Sequence, residues 1–153
     1  MIKIAELVAS AGGIGYMGKG GGTVAAIAYC VIWFFLPAGY TVTYWQVVIT
    51  AALIIAGTWS SDKVDKTWGK DSSKVVIDEI AGMAIALLFV PQNFWYGIIS
   101  LVAFRFFDIA KPLGVRKAEN LPKGWGVMAD DILAGIYALT VVHLWLLMAQ
   151  KFS

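Results

Sequence analysis

From Gly20 to Ser61 the chain carries no Asp, Glu, Lys or Arg, and no other feature restricts its fold as strongly. A helix at the surface of a soluble domain carries charged and polar residues on its outer face, and this run has no charged residue to place there. Its one interruption is Pro37-Ala38-Gly39 with Tyr40 and Thr41, a group that breaks helices, so the run predicts two apolar helices. Residues 80 to 104 are again uncharged and are broken at Pro91-Gln92-Asn93, which predicts a third and a fourth. Ile132 to Gln150 gives a fifth, close to the ~20 residues that cross a hydrocarbon core. Several of the other pieces are shorter, so tilting, re-entry or extension through polar flanks is expected. Composition agrees: 14% of residues are charged and the mean hydropathy is +0.74, against about 25% charged in soluble proteins. The expected fold is all-α, a membrane-embedded bundle of about five hydrophobic helical segments, in one domain over residues 1 to 153.

If the five segments alternate in direction, residues 1 to 22, 60 to 79 and 105 to 131 fall on one side. Eleven of the twelve Lys and Arg residues then lie there, with only Lys151 elsewhere, which makes that side cytoplasmic. All ten carboxylates share it. The N-terminal MIKIAELVASA contains Glu6 and has no long apolar core, so a short amphipathic helix on the inner leaflet is expected, not a signal peptide. The single cysteine, Cys30, excludes a disulfide framework. A net charge of +2 gives no reason to expect a nucleic-acid partner, and the oligomeric state is left open.

The chemistry is expected at the span ends. Asp78 and Glu79 stand in VVIDEIAGMAIALLFV, and Asp130 and Asp131 in GVMADDILAGIYALTVVHL. A carboxylate near a bilayer core costs about 2.5 to 3.5 kcal/mol on insertion scales, and two such pairs on neighbouring helices repel. A divalent cation removes the repulsion, and an all-oxygen set favours magnesium, with manganese as the alternative. The structural alternative is that the acids sit at helix N-termini, where negative charge suits the helix dipole. Between the pairs, Arg105, Asp108 and Lys111 are spaced by three, so a helix places them on one face until Pro112 ends it. Cations beside an acid-bound metal suit a phosphate ester; a ladder of ion pairs is the alternative. Arg116 and Lys117 fit lipid headgroup contact or topology equally well. His143, the only histidine, lies among apolar residues and is expected to pack. With no nucleophile beside a base, the economical reaction is attack of metal-activated water on phosphorus.

Residues 12 to 22 hold seven glycines. Gly13-x-Gly15-x-x-Gly18 matches a dinucleotide fingerprint and Gly13-x-x-x-x-Gly18-Lys19 most of a P-loop, but the upstream residues look helical and no Ser or Thr follows Lys19.

The succession IDEIAGM, FRFFDIAKP, GVR and GVMADDILAG resembles the phosphatidylglycerophosphatase A family over nearly the whole chain. The resemblance implies a small bacterial inner-membrane phosphatase, magnesium dependent, that converts phosphatidylglycerophosphate to phosphatidylglycerol, built as a helical bundle around one central helix. It implies metal ligation by Asp78, Glu79, Asp130 and Asp131, and catalytic roles for Arg105, Asp108, Lys111 and Asp131. Substrate phosphate would meet Arg105, Lys111, Arg116 and Thr23, with Thr23 capping the first apolar helix and the glycine loop offering backbone N–H groups; a pliable connection is the alternative for the loop. The chain has Gly18, Gly21 and Gly114 where the family usually has proline. A phosphatidyltransferase is disfavoured because the Asp-Gly-x-x-Ala-Arg run is absent; a non-catalytic carrier or structural membrane protein would release no phosphate.

Overall fold

The computed structural model describes residues 1–37, 44–69, 72–112, 114–118, 121–122 and 124–151, apart from the side chains of Arg116, Lys117 and Gln150. Among these residues there are helices and turns and no strand, as expected for an all-α chain. In order they are α1 (Ile2–Ala9), a 3-10 turn (Ile14–Met17), α2 (Gly21–Phe35), α3 (Trp45–Trp68), α4 (Ile77–Ala86), α5 (Phe94–Ala110), α6 (Val115–Ala118) and α7 (Gly124–Lys151).

The five apolar segments correspond to α2, α3, α4, α5 and α7. Among the described residues only α3 and α7 are long and apolar enough to cross a membrane, two where five spans are expected from sequence. The reason lies in where the helices stop. At 10 residues, α4 is about 15 Å long, half the hydrocarbon thickness. In contrast, α3 and α7 lengthen by absorbing polar flanks: residues 60–68 and 124–131 are helical. On α3 this works because Lys63, Asp65 and Lys66 remain exposed while Ser61 and Val64 turn inward. The expected break at Ala38 to Thr41 lies outside the described residues.

Short as it is, α4 is the hub, packed by α2, α3, α5 and α7. Its sequence IDEIAGMAIA is dominated by small side chains, and every residue from Ala81 to Ala86 is buried. Gly82 is where the approach is closest: a Cβ there would lie 2.7 Å from the Asp131 carbonyl oxygen and against the Phe104 ring. Absence of a side chain at this one position lets α4 and α7 meet within one turn of both acid pairs. Beyond it, Trp33, Met83, Leu87, Phe104 and Val142 form the apolar core. The expected amphipathic N-terminal helix is α1, whose Ala5 and Ala9 are buried against α3 while Ile4 and Leu7 are exposed.

A helix that ends inside a bundle leaves carbonyls without partners, and a buried glutamine supplies them for α4. Gln46 Nε2 donates to the Leu87 carbonyl at 2.9 Å, and the Phe89 N–H donates to Gln46 Oε1 at 2.8 Å. Gln92 serves the end of α2 in the same way, donating to the carbonyls of Trp33 and Leu36 at 2.8 and 3.0 Å. These amides fix the end of the bundle where α2 and α4 finish and α3 and α5 begin. Replacing Gln46 with Leu removes both bonds; the Leu87 carbonyl keeps the Val90 N–H at 3.2 Å while the Phe89 N–H loses its partner, so the loss should be about 1–3 kcal/mol. Thermal unfolding in detergent checks this; an unchanged midpoint would show that the amide is not what closes α4.

Candidate active site

At the opposite end, where α2, α4 and α7 begin and α5 finishes, a cavity of about 260 Å³ opens. Eight of the nine residues expected to carry chemistry line it: Thr23, Asp78, Glu79, Arg105, Asp108, Lys111, Asp130 and Asp131. The ninth is Arg116. Its backbone is in α6, but its side chain lies outside the described residues.

The two acid pairs occupy different helical positions. Asp78 and Glu79 are in the first turn of α4, and the Glu79 N–H donates to Asp78 Oδ1 at 3.1 Å; here dipole stabilisation is part of the account. Asp130 and Asp131 lie six and seven residues inside α7, whose first turn holds no acid, so helix capping cannot explain them. Both are nearly buried, at 8% and 3% exposure. Carboxylate oxygens of Asp78, Glu79 and Asp131 lie within 4.8 Å of one another, as do those of Asp108, Asp130 and Asp131. Asp131 belongs to both groups. Glu79 Oε2 and Asp130 Oδ1 are buried with no hydrogen-bond partner among the described residues, although buried oxygens are normally satisfied. Removal from water, and then the Glu79 charge beside it, push the Asp78 carboxyl well above the usual carboxylate range. Orphaned oxygens on converging hard ligands fit a divalent cation such as magnesium.

The cations come from α5. Arg105 pairs with Asp108 one turn on, as a ladder of ion pairs would require, but Lys111 leaves the ladder. It ends α5 in the left-handed conformation with φ 45°, ahead of Pro112, and its Nζ donates to Asp130 Oδ2 at 2.7 Å across to α7. Left-handed backbone at a non-glycine residue is uncommon and is often retained at functional sites. Here it turns the ammonium into the cavity. So the three residues do not all share a helix face: two remain on α5 and the third bridges to the acids.

Gly18 to Gly22 form the remaining wall with Lys19. The nucleotide-fold readings fail, because α1 and a 3-10 turn precede the loop where a strand is required. Gly22 is fixed by contact: a Cβ there would collide with the Glu79 carboxylate. The N-cap of α2 is Gly20, with φ 96° and no side-chain cap, which corrects the expectation that Thr23 caps the helix. Thr23 is the third residue of α2 and lines the cavity from there. Gly18 and Gly114, two positions at which the family resemblance leads to an expectation of proline, have φ 75° and 92°, outside the range of proline. Sequence reasoning did not single out Ser72 and Ser73 as site residues, yet they line the cavity from the α3–α4 connection; their only signal is nearness to Asp78. As expected, His143 is remote from the cavity lining, with Nδ1 3.0 Å from the Leu139 carbonyl.

The family model for phosphatidylglycerophosphatase A matches residues 7–146. Among curated proteins the chain is 45% identical over 132 residues to a protein of Bacteroides thetaiotaomicron named putative phosphatidylinositol-3-phosphatase, covering 82% of this chain and 80% of that one. It is 40% identical over 98 residues to phosphatidylglycerophosphatase A of Haemophilus influenzae, covering 62% and 60%. To the Escherichia coli protein of the same name it is 32% identical over 127 residues, covering 80% and 70%. No solved structure matches the chain. With acids, cations and glycine loop in one cavity and a match over nearly its whole length, the chain belongs to the phosphatidylglycerophosphatase A family and is a phosphatase.

Proposed function

We propose that the protein hydrolyses phosphatidylglycerophosphate to phosphatidylglycerol and phosphate, at the cytoplasmic face of a bacterial inner membrane that it crosses several times. The observation that carries this reading is the one cavity in which five carboxylates meet Arg105, Lys111 and the first turn of α2 at the end of an apolar bundle. Membrane placement is supported by α3 and α7 and by large apolar side chains facing outward, such as Ile55, Val102 and Leu147, each more than 60% exposed. Tyr44, Trp45, Phe94 and Trp95 are exposed at the end away from the cavity, where an aromatic belt belongs.

In this reading Asp78, Glu79, Asp130 and Asp131 hold Mg²⁺, with Mn²⁺ as a substitute, and the ion supplies Lewis acidity and a more acidic water. Asp131, shared by both carboxylate groups, ties the metal ligands to Asp108, which is placed to orient or deprotonate the attacking water. Arg105 offers a planar fork to the phosphate oxygens, held in direction by Asp108. Lys111 contributes a point charge against negative charge that grows on phosphorus oxygens in the transition state. Thr23 and the N–H groups opening α2 face the same anion, and Arg116 in α6 is a further phosphate contact. Dephosphorylation of a phosphatidylinositol 3-phosphate is the second reading, favoured by the name of the Bacteroides relative. Phosphate release from both lipids by the purified protein decides between them: the proposal requires faster turnover of phosphatidylglycerophosphate, and preference for the inositide would reverse it.

Activity should vanish in excess EDTA and return with Mg²⁺ or Mn²⁺. Because Asp78 must lose a proton that its surroundings favour, the half-saturating magnesium concentration should rise as pH falls; full turnover in EDTA would remove the metal from the proposal. Arg105→Lys and Lys111→Ala should each lower kcat/KM by about 10²–10³-fold while bound Mn²⁺ remains detectable by electron paramagnetic resonance. Wild-type rates in both would make these residues structural charges. Because α7 starts at the cavity end and runs away from it, a reporter fused after Ser153 should be extracytoplasmic; a cytoplasmic reporter would overturn the placement of α7 across the membrane.

A further inference from the structure

A second cavity shares two walls with the first. It is a groove of about 290 Å³ between α2 and α5, lined by Ile27, Cys30 and Val31 on one side and Gly97, Ile98 and Leu101 on the other, with almost no polar surface. On α2, Thr23 lines the acid cavity and Ile27 lines the groove, one turn later. On α5 the order is reversed by chain direction: Leu101 lines the groove and Arg105, one turn later, lines the acid cavity. One turn advances about 5.4 Å, so the two cavities are neighbours along the α2–α5 pair, the first charged and the second apolar. At Gly97, which has no side chain, α2 and α5 approach closely along the groove. Cys30 Sγ donates to the Gly97 carbonyl at 3.6 Å, and a Cβ at Gly97 would stand 3.3 Å from that sulfur and 3.4 Å from the Trp33 ring.

We infer that the α2–α5 groove holds one acyl chain of the phospholipid whose phosphate monoester occupies the acid cavity. This rests on the proposed reading of the substrate as a lipid phosphate. An acyl chain has nothing to hydrogen-bond and the groove offers nearly nothing to bond to, while the charges needed by the phosphate stand at its mouth. The glycerol backbone spans the step between the two. A broader groove between α5 and α7, lined by Val102, Phe106 and Val141 among others, does not touch the glycine loop or Thr23 and serves as the control surface.

The test compares dioleoyl with dihexanoyl phosphatidylglycerophosphate in mixed micelles, using the full chain. Ile27 and Val31 are at the groove edge and about half exposed, so a larger side chain there narrows the groove without entering the core. In Ile27→Trp and Val31→Trp, the ratio of kcat/KM for the long-chain to the short-chain lipid should fall about fivefold or more, since each excluded methylene contact is worth about fourfold. In Val141→Trp the ratio should stay within twofold of wild type. Independently, phosphatidic acid with a diazirine at the end of an acyl chain should cross-link the wild-type protein at Ile27, Cys30, Val31 or Leu101, which line only the α2–α5 groove. An unchanged ratio in both groove variants, or cross-links confined to α3 and the α5–α7 face, overturns the assignment. If wild-type protein releases phosphate from neither lipid, the proposed function fails, and the cross-linking pattern still decides whether the groove takes a chain.

Discussion

Everything at the charged end of this bundle depends on the cost of bringing carboxylates together away from water. Asp131, buried in α7, is within metal-sharing distance of Asp78 and Glu79 on one side and of Asp108 and Asp130 on the other. Two internal cations answer part of that charge, Arg105 at Asp108 and Lys111 at Asp130. The deficit that remains is visible in Glu79 Oε2 and Asp130 Oδ1, which have no hydrogen-bond partner among the described residues. An isolated cluster of this kind would be strongly unfavourable in a low-dielectric setting. A bound cation would offset that cost, so the proposed metal would stabilise this end of the fold as well as serve the chemistry proposed for it.

The packing that permits the cluster is made by absent side chains. Gly82 brings α4 against α7 at Asp131, and Gly22 brings the first turn of α2 against Glu79. Both act through distance, with no bonding group of their own. The glycine loop and the acids are therefore one unit: moving either displaces the other.

Much of the site was legible in the sequence because charged residues in an apolar chain are few and each requires a reason. The IDE, R-x-x-D-x-x-K and ADD runs mark seven of the cavity's residues. Less legible was anything set by where a helix stops. Hydropathy alone does not separate a helix that crosses a bilayer from one that is enclosed by its neighbours, so α4 reads as a span although it is the buried hub. Thr23 reads as a cap because Thr favours that position, but the left-handed Gly20 takes it. The partner of Lys111 is on α7, nineteen residues away, and a spacing rule within one helix does not reach it. Ser72 and Ser73 carry no pattern at all. The all-helical class was recoverable from the length of the uncharged runs, and the short N-terminal helix from its own apolar pattern.

The amide of Gln46 has a further consequence for permeation. It seals the end of α4 without an ionisable group, and beyond the acid cavity the buried interior is Trp33, Met83, Leu87, Phe104 and Val142. Among the described buried residues of that half, the polar ones are Gln46, Thr50 and Ser100, none of which titrates near neutral pH. Along the bundle axis, therefore, no described buried residue beyond the acid cavity could relay a proton or replace the hydration of an ion, and a bundle that gathers this much charge at one end offers it no stepping stone to the other.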